Sequence, residues 1–302
     1  MKDNGIIDKD GIHWPIELFF CGDWKFMYIV MGLSAPNSKY FCLYCDCEAS
    51  LRWDMNKVWN NTNNTKCKLI NLICCYNSLN FFCITYNINY LLLGEKKSPL
   101  FPAINQENYI PDELHLLLRI SDVLMECLFS DLIKKKEFQK QIKPEIESAF
   151  KNIKVYFEFF QSKTSGKQWN WTSLMGPDKK KMLEKFPVSH FISGIRGEDI
   201  EKLWREFYRL YTILRNAYLS DQEIDQFEID ARNWIRMFCR PTQGRINSSI
   251  QIPGLYRKED VTPYMHVFAS HVPQFLRQLK AKGLSLQIFS TSSIEKKNHN
   301  QV

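Results

Sequence analysis

The chain has 302 residues, 45% hydrophobic and 24% charged, which is enough to bury the core of one large domain or two ordinary ones. No window approaches about 18 uninterrupted apolar residues, and the first fifteen residues are polar and mixed in charge, a pattern that excludes a helical membrane span and a secretory signal. The net charge of +7 permits a nucleic-acid partner without requiring one. Ten irregularly spaced cysteines in an intracellular chain of this size point to metal ligation or burial rather than disulfides.

Residues 1–15 are a polar lead-in carrying Asp3, Asp8 and Asp10. Residues 18–21 (LFFC) then form an apolar run that stops at Gly22-Asp23, the pattern of a short buried strand delivering a carboxylate at its C-terminal end. Residues 25–33 (KFMYIVMGL) predict a short helix ended by Gly32, and Pro36-Asn37-Ser38 a turn. Nineteen residues after Asp23 stands Cys42-x-x-Cys45, with Cys47 close behind, on a small turn.

Residues 55–94 differ from both flanks. Between Asp54 and Glu95 there is no Asp or Glu, no Pro, and a surplus of Asn, Ile, Tyr, Cys and Phe. That composition fits an insertion, or translated AT-rich intron sequence, and no function attaches to it. The two sequons within residues 60–65 carry no meaning in an intracellular protein, and Cys74-Cys75 read as non-ligands.

From Pro111 the pattern is mostly helical. Asp112 opens a helix with apolar residues at Leu114, Leu117, Leu118, Leu124 and Leu128, and Asp122 reads as a solvated position on it. Lys134, Lys135 and Lys136 form a basic connector, read first as a solvated face, to a second helix running through Phe150, Tyr156 and Phe160. Trp169 to Trp171 and Met175-Gly176-Pro177 mark a turn before another short helix. Residues 199–218 are the clearest amphipathic helix, with Asp199 as N-cap and an apolar stripe from Ile200 to Tyr218 that is core rather than a base-stacking platform. Residues 223–238 and 260–280 predict further helices, the second containing His266, His271 and Pro273.

Two thiolates on a turn bind one tetrahedral zinc when two more ligands converge on them. His266-x-x-x-x-His271 has the spacing of paired zinc histidines, and only six histidines exist. His266 follows Cys45 by 221 residues, so a local zinc finger is ruled out. Spacing alone is equally compatible with a reduced cysteine pair and two helical histidines. Glu295 fits a capping box, Ser292-x-x-Glu295, and also forms a polar stripe with Asn298 and His299 at the start of the last helix.

Taken in order, Asp23, Cys42-x-x-Cys45, His266-x4-His271 and Glu295 resemble the catalytic subunit of the V(D)J recombinase and the DDE transposases related to it. The resemblance covers most of residues 16–54 and 95–302, including Asp112-Glu-Leu-His115 and Gly254-Leu-Tyr-Arg-Lys. It implies an α+β, mostly helical chain with a partial RNase H-like core in 1–54, the anomalous insert at 55–94, and a zinc-tied helical insertion over 95–290. Residues 291–302 would begin the helix of the catalytic Glu.

On that resemblance, Asp23 and Glu295 are acids of a Mg²⁺ or Mn²⁺ site for DNA cleavage and strand transfer. Cys42, Cys45, His266 and His271 hold a structural zinc, and Lys296 and Lys297 meet DNA phosphates. The partner implied is double-stranded DNA at transposon ends, the location the nucleus, and the assembly a homodimer. The family's first Asp lies on an earlier strand, whereas 22 residues precede Asp23 here, so the expectation is an inactive, N-terminally truncated relative. The alternatives are a domesticated zinc-stabilised DNA-binding or interaction module, and a plain helical interaction domain.

Overall fold

The structure, a computed structural model, describes residues 5–33, 37–60, 99–161, 168–244 and 251–292. Among these the fold is α+β, dominated by helices with three two-stranded sheets. It divides into two compact units, Met1–Glu113 with Ile288–Val302, and Leu114–Gln287.

In the first unit, β1 (Ile6–Ile7) and β2 (His13–Trp14) pair antiparallel. The carboxylate of Asp8 accepts from the amides of Asp10 and Ile12 and from the Trp14 indole, which fixes the turn between them. The apolar run then becomes β3 (Phe20–Gly22), which pairs in parallel with β4 (Tyr109–Pro111) in the register Phe20↔Tyr109, Cys21↔Ile110, Gly22↔Pro111. Phe20 packs its ring against Phe26, Phe101 and Tyr109 at 5.7–6.0 Å, so this small sheet is held by aromatic contacts as well as by its ladder. Each strand ends directly on an acidic residue, Asp23 or Asp112, and a helix follows each.

The helix after Asp23 is α1 (Trp24–Val30), with Asp23 as N-cap accepting from the Lys25 amide at 2.8 Å. It ends as expected where Gly32 takes φ +69°, a left-handed conformation that a Cβ would penalise. Trp24, Met27, Tyr28 and Val30 form its buried face, and Trp24 meets Tyr44 edge-on at 5.9 Å.

In the second unit, α2 (Glu113–Ile133) buries Leu117, Ile120, Leu124 and Leu128, the helical period read from the sequence. Asp122, read as a solvated position, keeps 45% of its side chain exposed and also pairs with Lys179, whose ammonium is buried and donates to the Leu118 carbonyl at 2.7 Å. Burial pulls the Lys179 pKa below its ordinary range, against the opposing pull of Asp122. Lys134, Lys135 and Lys136 are exposed, with the Lys135 ammonium donating to the Phe191 carbonyl at 3.1 Å.

The second helix is shorter than its pattern suggested. α3 (Lys143–Asn152) stops before Lys154, which sits at φ +59°. Beyond it Val155, Phe157 and Phe159 are buried while Tyr156, Glu158 and Phe160 are exposed, a period of two that belongs to extended chain. Phe159–Gln161 accordingly forms β5, paired antiparallel with β6 (Trp169–Trp171), the stretch read as a turn. The apolar face packs on Phe129, whose ring lies 5.0 Å from Phe159 and 5.1 Å from Trp171.

Next come α4 (Gly176–Lys185), α5 (Val188–Phe191), α6 (Gly194–Leu214) and α7 (Asp221–Phe238). Helix α6 starts five residues earlier than Asp199, with Ser193 at its N-cap, and ends before the exposed Tyr218. Asp199 therefore lies within the helix and accepts from Arg240 at 2.7 Å instead of capping. Two glycines lie in the first turn of α6, Gly194 at φ +73° with open space around it, and Gly197 for a steric reason. A Cβ on Gly197 would sit 1.6 Å from the Ile192 carbonyl oxygen, so the α5–α6 corner closes only over a bare α-carbon. Gly197→Ala is expected to destabilise this unit by about 1–3 kcal/mol or more, read as a lower urea midpoint with unchanged slope. Helix α7 opens on a capping box in which Ser220 and Glu223 bond reciprocally.

The expected helix over 260–280 is two helices, α8 (Pro263–Ser270) and α9 (Val272–Ala281), meeting at His271. Pro273 has no amide hydrogen to give back and restricts the preceding residue, so the chain starts a new helix there instead of continuing the old one.

Candidate metal centre

Cys42 and Cys45 sit on a loop whose base is closed by a Tyr40↔Glu48 bridge and by the Ala49 amide donating to the Lys39 carbonyl at 2.8 Å. Phe41, Leu43 and Tyr44 are buried, so the loop turns its apolar side chains inward with both thiols. The Tyr44 amide points at Cys42 Sγ at 3.5 Å, the contact that stabilises a thiolate on a tight turn. Cys47 is also buried, its thiol directed at the Glu48 carbonyl at 3.5 Å.

The histidines are placed by the helix break. His266 lies in α8, and His271 occupies the corner where α8 ends, which brings the two rings to 5.3 Å between centroids. Both are buried. His271 Nδ1 lies 3.1 Å from Gln274 Oε1, and in the tautomer that donates from Nδ1 to this oxygen the Nε2 lone pair is left for a metal.

Cys42, Cys45, His266 and His271 each offer a ligand atom, and the four atoms lie within 4.8 Å of one another. Tetrahedral zinc brings sulfur and nitrogen ligands to about 3.3–3.8 Å from each other, so a slight contraction would close this set around an ion. Two thiolates and two neutral imidazoles balance Zn²⁺ to zero net charge, and that suits a buried position. The Cys45 thiol takes opposing hydrogen-bond influences from Cys42, which lowers its pKa, and Cys47, which raises it. With burial added it stands well above the ordinary thiol range, so loading the site must displace protons from sulfur. The donor set therefore fits structural zinc.

Asp23, the first sequence-derived catalytic candidate, lies at the end of β3 as expected, with its carboxylate capping α1. Glu295, the second, lies outside the described residues, as do Lys296, Lys297, Asn298, His299, Asp3, Asn64 and the Cys74-Cys75 pair. Two further residues of interest were not site candidates in the sequence, where Asp112 read as a helix cap and Cys21 as part of an apolar run. Asp112 is buried rather than a simple cap, and accepts hydrogen bonds from Thr291 through both the amide and the hydroxyl. Cys21, one residue from the end of β3, donates to the Phe289 carbonyl at 2.6 Å. Their only sequence signal is position, at or next to the last residue of an apolar run.

No helix among the described residues is long and apolar enough to cross a membrane. Comparison of the sequence with known proteins finds no matching family model and no matching curated protein.

Proposed function

We propose that this chain is a DNA-binding protein of the DDE recombinase and transposase type, its fold held by a structural zinc ion on Cys42, Cys45, His266 and His271. The observation that carries the reading is the meeting of these four ligands from pairs 221 residues apart in sequence, downstream of a strand ending on Asp23. Local zinc modules keep their ligands within a few dozen residues; this spacing is the one the resemblance called for. A parallel strand pair with an acidic residue at each C-terminal end is also what an RNase H-like core requires, because ligands of open α/β sheets gather at the carboxyl ends of strands.

In this reading the partner is duplex DNA, met by the chain's positive excess and its exposed lysines, such as Lys134 and Lys136. Asp23 and Glu295 would contribute carboxylates to a Mg²⁺ or Mn²⁺ site. Ions bound there would activate water or a 3′-hydroxyl and stabilise the leaving oxygen of a phosphodiester. The work of the chain's own residues is positional: β3 carries Asp23 to the sheet's end, and the Lys25 amide orients one of its oxygens.

A second reading, a zinc-stabilised DNA-binding module without cleavage, draws on that same capping bond, which occupies part of the Asp23 carboxylate with a structural task. One experiment separates them. Zinc-loaded protein is expected to bind duplex DNA with an affinity that falls steeply as salt is raised. Asp23→Asn should leave that binding within about twofold while removing any Mn²⁺-dependent nicking of the duplex. Nicking that survives Asp23→Asn would eliminate the carboxylate reading, and zinc-loaded protein that ignores duplex DNA at low salt would eliminate both.

A further inference from the structure

Between one face of α2 and the chain at 255–262 lies a cavity of about 500 Å³, wholly within the second unit. That volume is many times the space of one water and falls in the range of small-molecule sites. Val123 and Leu255 give it apolar walls and Tyr256 an aromatic one. Tyr256 is fixed in place: its amide donates to the Phe238 carbonyl at 3.0 Å, and its ring lies 5.1 Å from that of Phe238 and 5.8 Å from the Arg196 guanidinium. Its hydroxyl oxygen is nevertheless buried with no hydrogen-bond partner among the described residues. A buried hydroxyl left unpaired is costly, so its place beside a cavity points to a ligand that pairs with it.

The charge on the walls is unequal, with Glu126, Asp131, Glu259 and Asp260 facing Lys134 and Arg257. Two of the carboxylates are answered. Arg196 donates to Asp131 Oδ2 at 2.6 Å, and Arg257 to Asp260 Oδ1 at 2.6 Å. Glu126 has no ion pair among the described residues. Lys134 stands eight residues further on, about 12 Å along the helix axis, so the surplus negative charge gathers at the Glu126 end. The Cys127 thiol registers that balance. Burial first, then Asp260, Glu126 and Asp131, push its pKa up to about 12 against the opposing pull of Arg257. A cleft that sets one sign of charge over apolar walls concentrates ions of the other sign.

We propose that this cavity binds a small organic cation, a primary ammonium or guanidinium group on an apolar body, with its charge at the Glu126 end and a hydrogen bond donated to the Tyr256 hydroxyl oxygen. Both groups carry several donors and no acceptor, which matches a wall of carboxylates and a phenol oxygen in want of a partner. The apolar body lies against Val123, Leu255 and the Tyr256 ring, while an anion of the same size would meet the surplus of carboxylates. Closure of the cation over the phenol gives the buried hydroxyl the partner that the fold does not supply. The site depends on neither the zinc nor the carboxylate reading, because its walls include no residue of either.

The test titrates the full chain with benzylamine by ligand-observed nuclear magnetic resonance, with benzyl alcohol and benzoate as neutral and anionic probes of the same shape. Benzylamine is expected to bind and the other two are not. Bound benzylamine should also slow the modification of Cys127 by N-ethylmaleimide severalfold, followed by mass spectrometry of the peptide that carries it. Tyr256→Phe should weaken benzylamine about tenfold, the equivalent of one hydrogen bond to a charged group. The same substitution should leave the ligand-free thermal midpoint at or above the wild-type value, because the deleted hydroxyl has no partner to lose. Glu126→Gln, at an exposed side chain, should weaken benzylamine about threefold with no change in midpoint. Equal binding of the three probes, no binding of benzylamine, or binding that both substitutions leave unchanged would overturn the site. A Tyr256→Phe protein that melts well below wild type would mean that the hydroxyl already has a partner in the fold, and that result overturns it too.

Discussion

Wild-type protein is expected to carry one equivalent of zinc, and Cys42→Ser or His271→Ala to reduce it to about a fifth or less after dialysis against a weak chelator. Each of these residues contributes one of four ligand atoms gathered within 4.8 Å, and a tetrahedral structural site does not tolerate an open position as a catalytic one does. Cys47→Ser is the matched control: Cys47 is equally buried and two residues away, but it is not one of the four, so zinc should be retained.

Metal removal should also be felt as stability. The free energy of zinc binding becomes folding free energy wherever the unfolded chain lacks the site, and it reaches about 10–16 kcal/mol in small zinc modules. Much of this fold has an apolar core of its own, so the expected loss on stripping the zinc is a fraction of that figure, seen as a thermal transition that moves by many degrees and returns on adding zinc. Elemental analysis of the purified proteins, with melting curves in chelator and in zinc, checks both parts. Equal zinc in wild type, Cys42→Ser and His271→Ala would dismiss the site.

The second large effect is expected from Trp234→Ala, at about 3–5 kcal/mol. Trp234 is 1% exposed, faces the Phe207, Phe238 and Phe268 rings at 5.4–6.1 Å, and donates its indole hydrogen to the Leu203 carbonyl at 2.8 Å. Truncation leaves a large void between α6, α7 and α8 and strips a buried carbonyl of a donor. Trp234→Phe separates the two costs: it keeps most of the volume and loses the hydrogen bond, for about 1–3 kcal/mol. Tyr218→Ala, at a side chain 90% exposed, should change stability by less than about 0.5 kcal/mol. Urea unfolding followed by tryptophan fluorescence and far-ultraviolet circular dichroism would rank the three, and a Trp234→Ala protein as stable as wild type would mean that this aromatic core is not packed as described.

Where sequence reading succeeded, the signals were local. The run into Asp23, the short helix closed at Gly32, and the buried stripes of α2 and α6 each depend on residues within one or two turns of each other, so periodicity and a glycine at positive φ are sufficient. Where it failed, a distant or steric partner decided the outcome. Tyr156 and Phe160 stand at helical spacing, but the left-handed Lys154 ends the helix and the partner strand Trp169–Trp171 pairs with Phe159–Gln161. Gly197 carried no signal in the sequence and is the point of close approach in the α5–α6 corner. Asp199 looked like a cap and is paired with Arg240, which is 41 residues later.

The candidate site divides in the same way. Cys42-x-x-Cys45 and His266-x4-His271 were each legible as a pair, because ligand chemistry and short spacing are properties of the sequence itself. That the two pairs form one buried set of four is a fact about distance in space, and no spacing rule reaches across 221 residues. Asp112 shows the limit most clearly. Its position before a helix suggested a cap, the commonest use of such an aspartate, while its burial and its hold on Thr291 follow only from the pairing of β3 with β4. By itself the sequence determined an α+β chain rich in helix, a strand that delivers Asp23, and two pairs of side chains with the chemistry to hold a metal. The tertiary structure alone decided which of these meet, because backbone propensity and hydrophobic period act over a few residues, whereas ligand sets and buried carboxylate contacts are made by chain segments that only folding brings together.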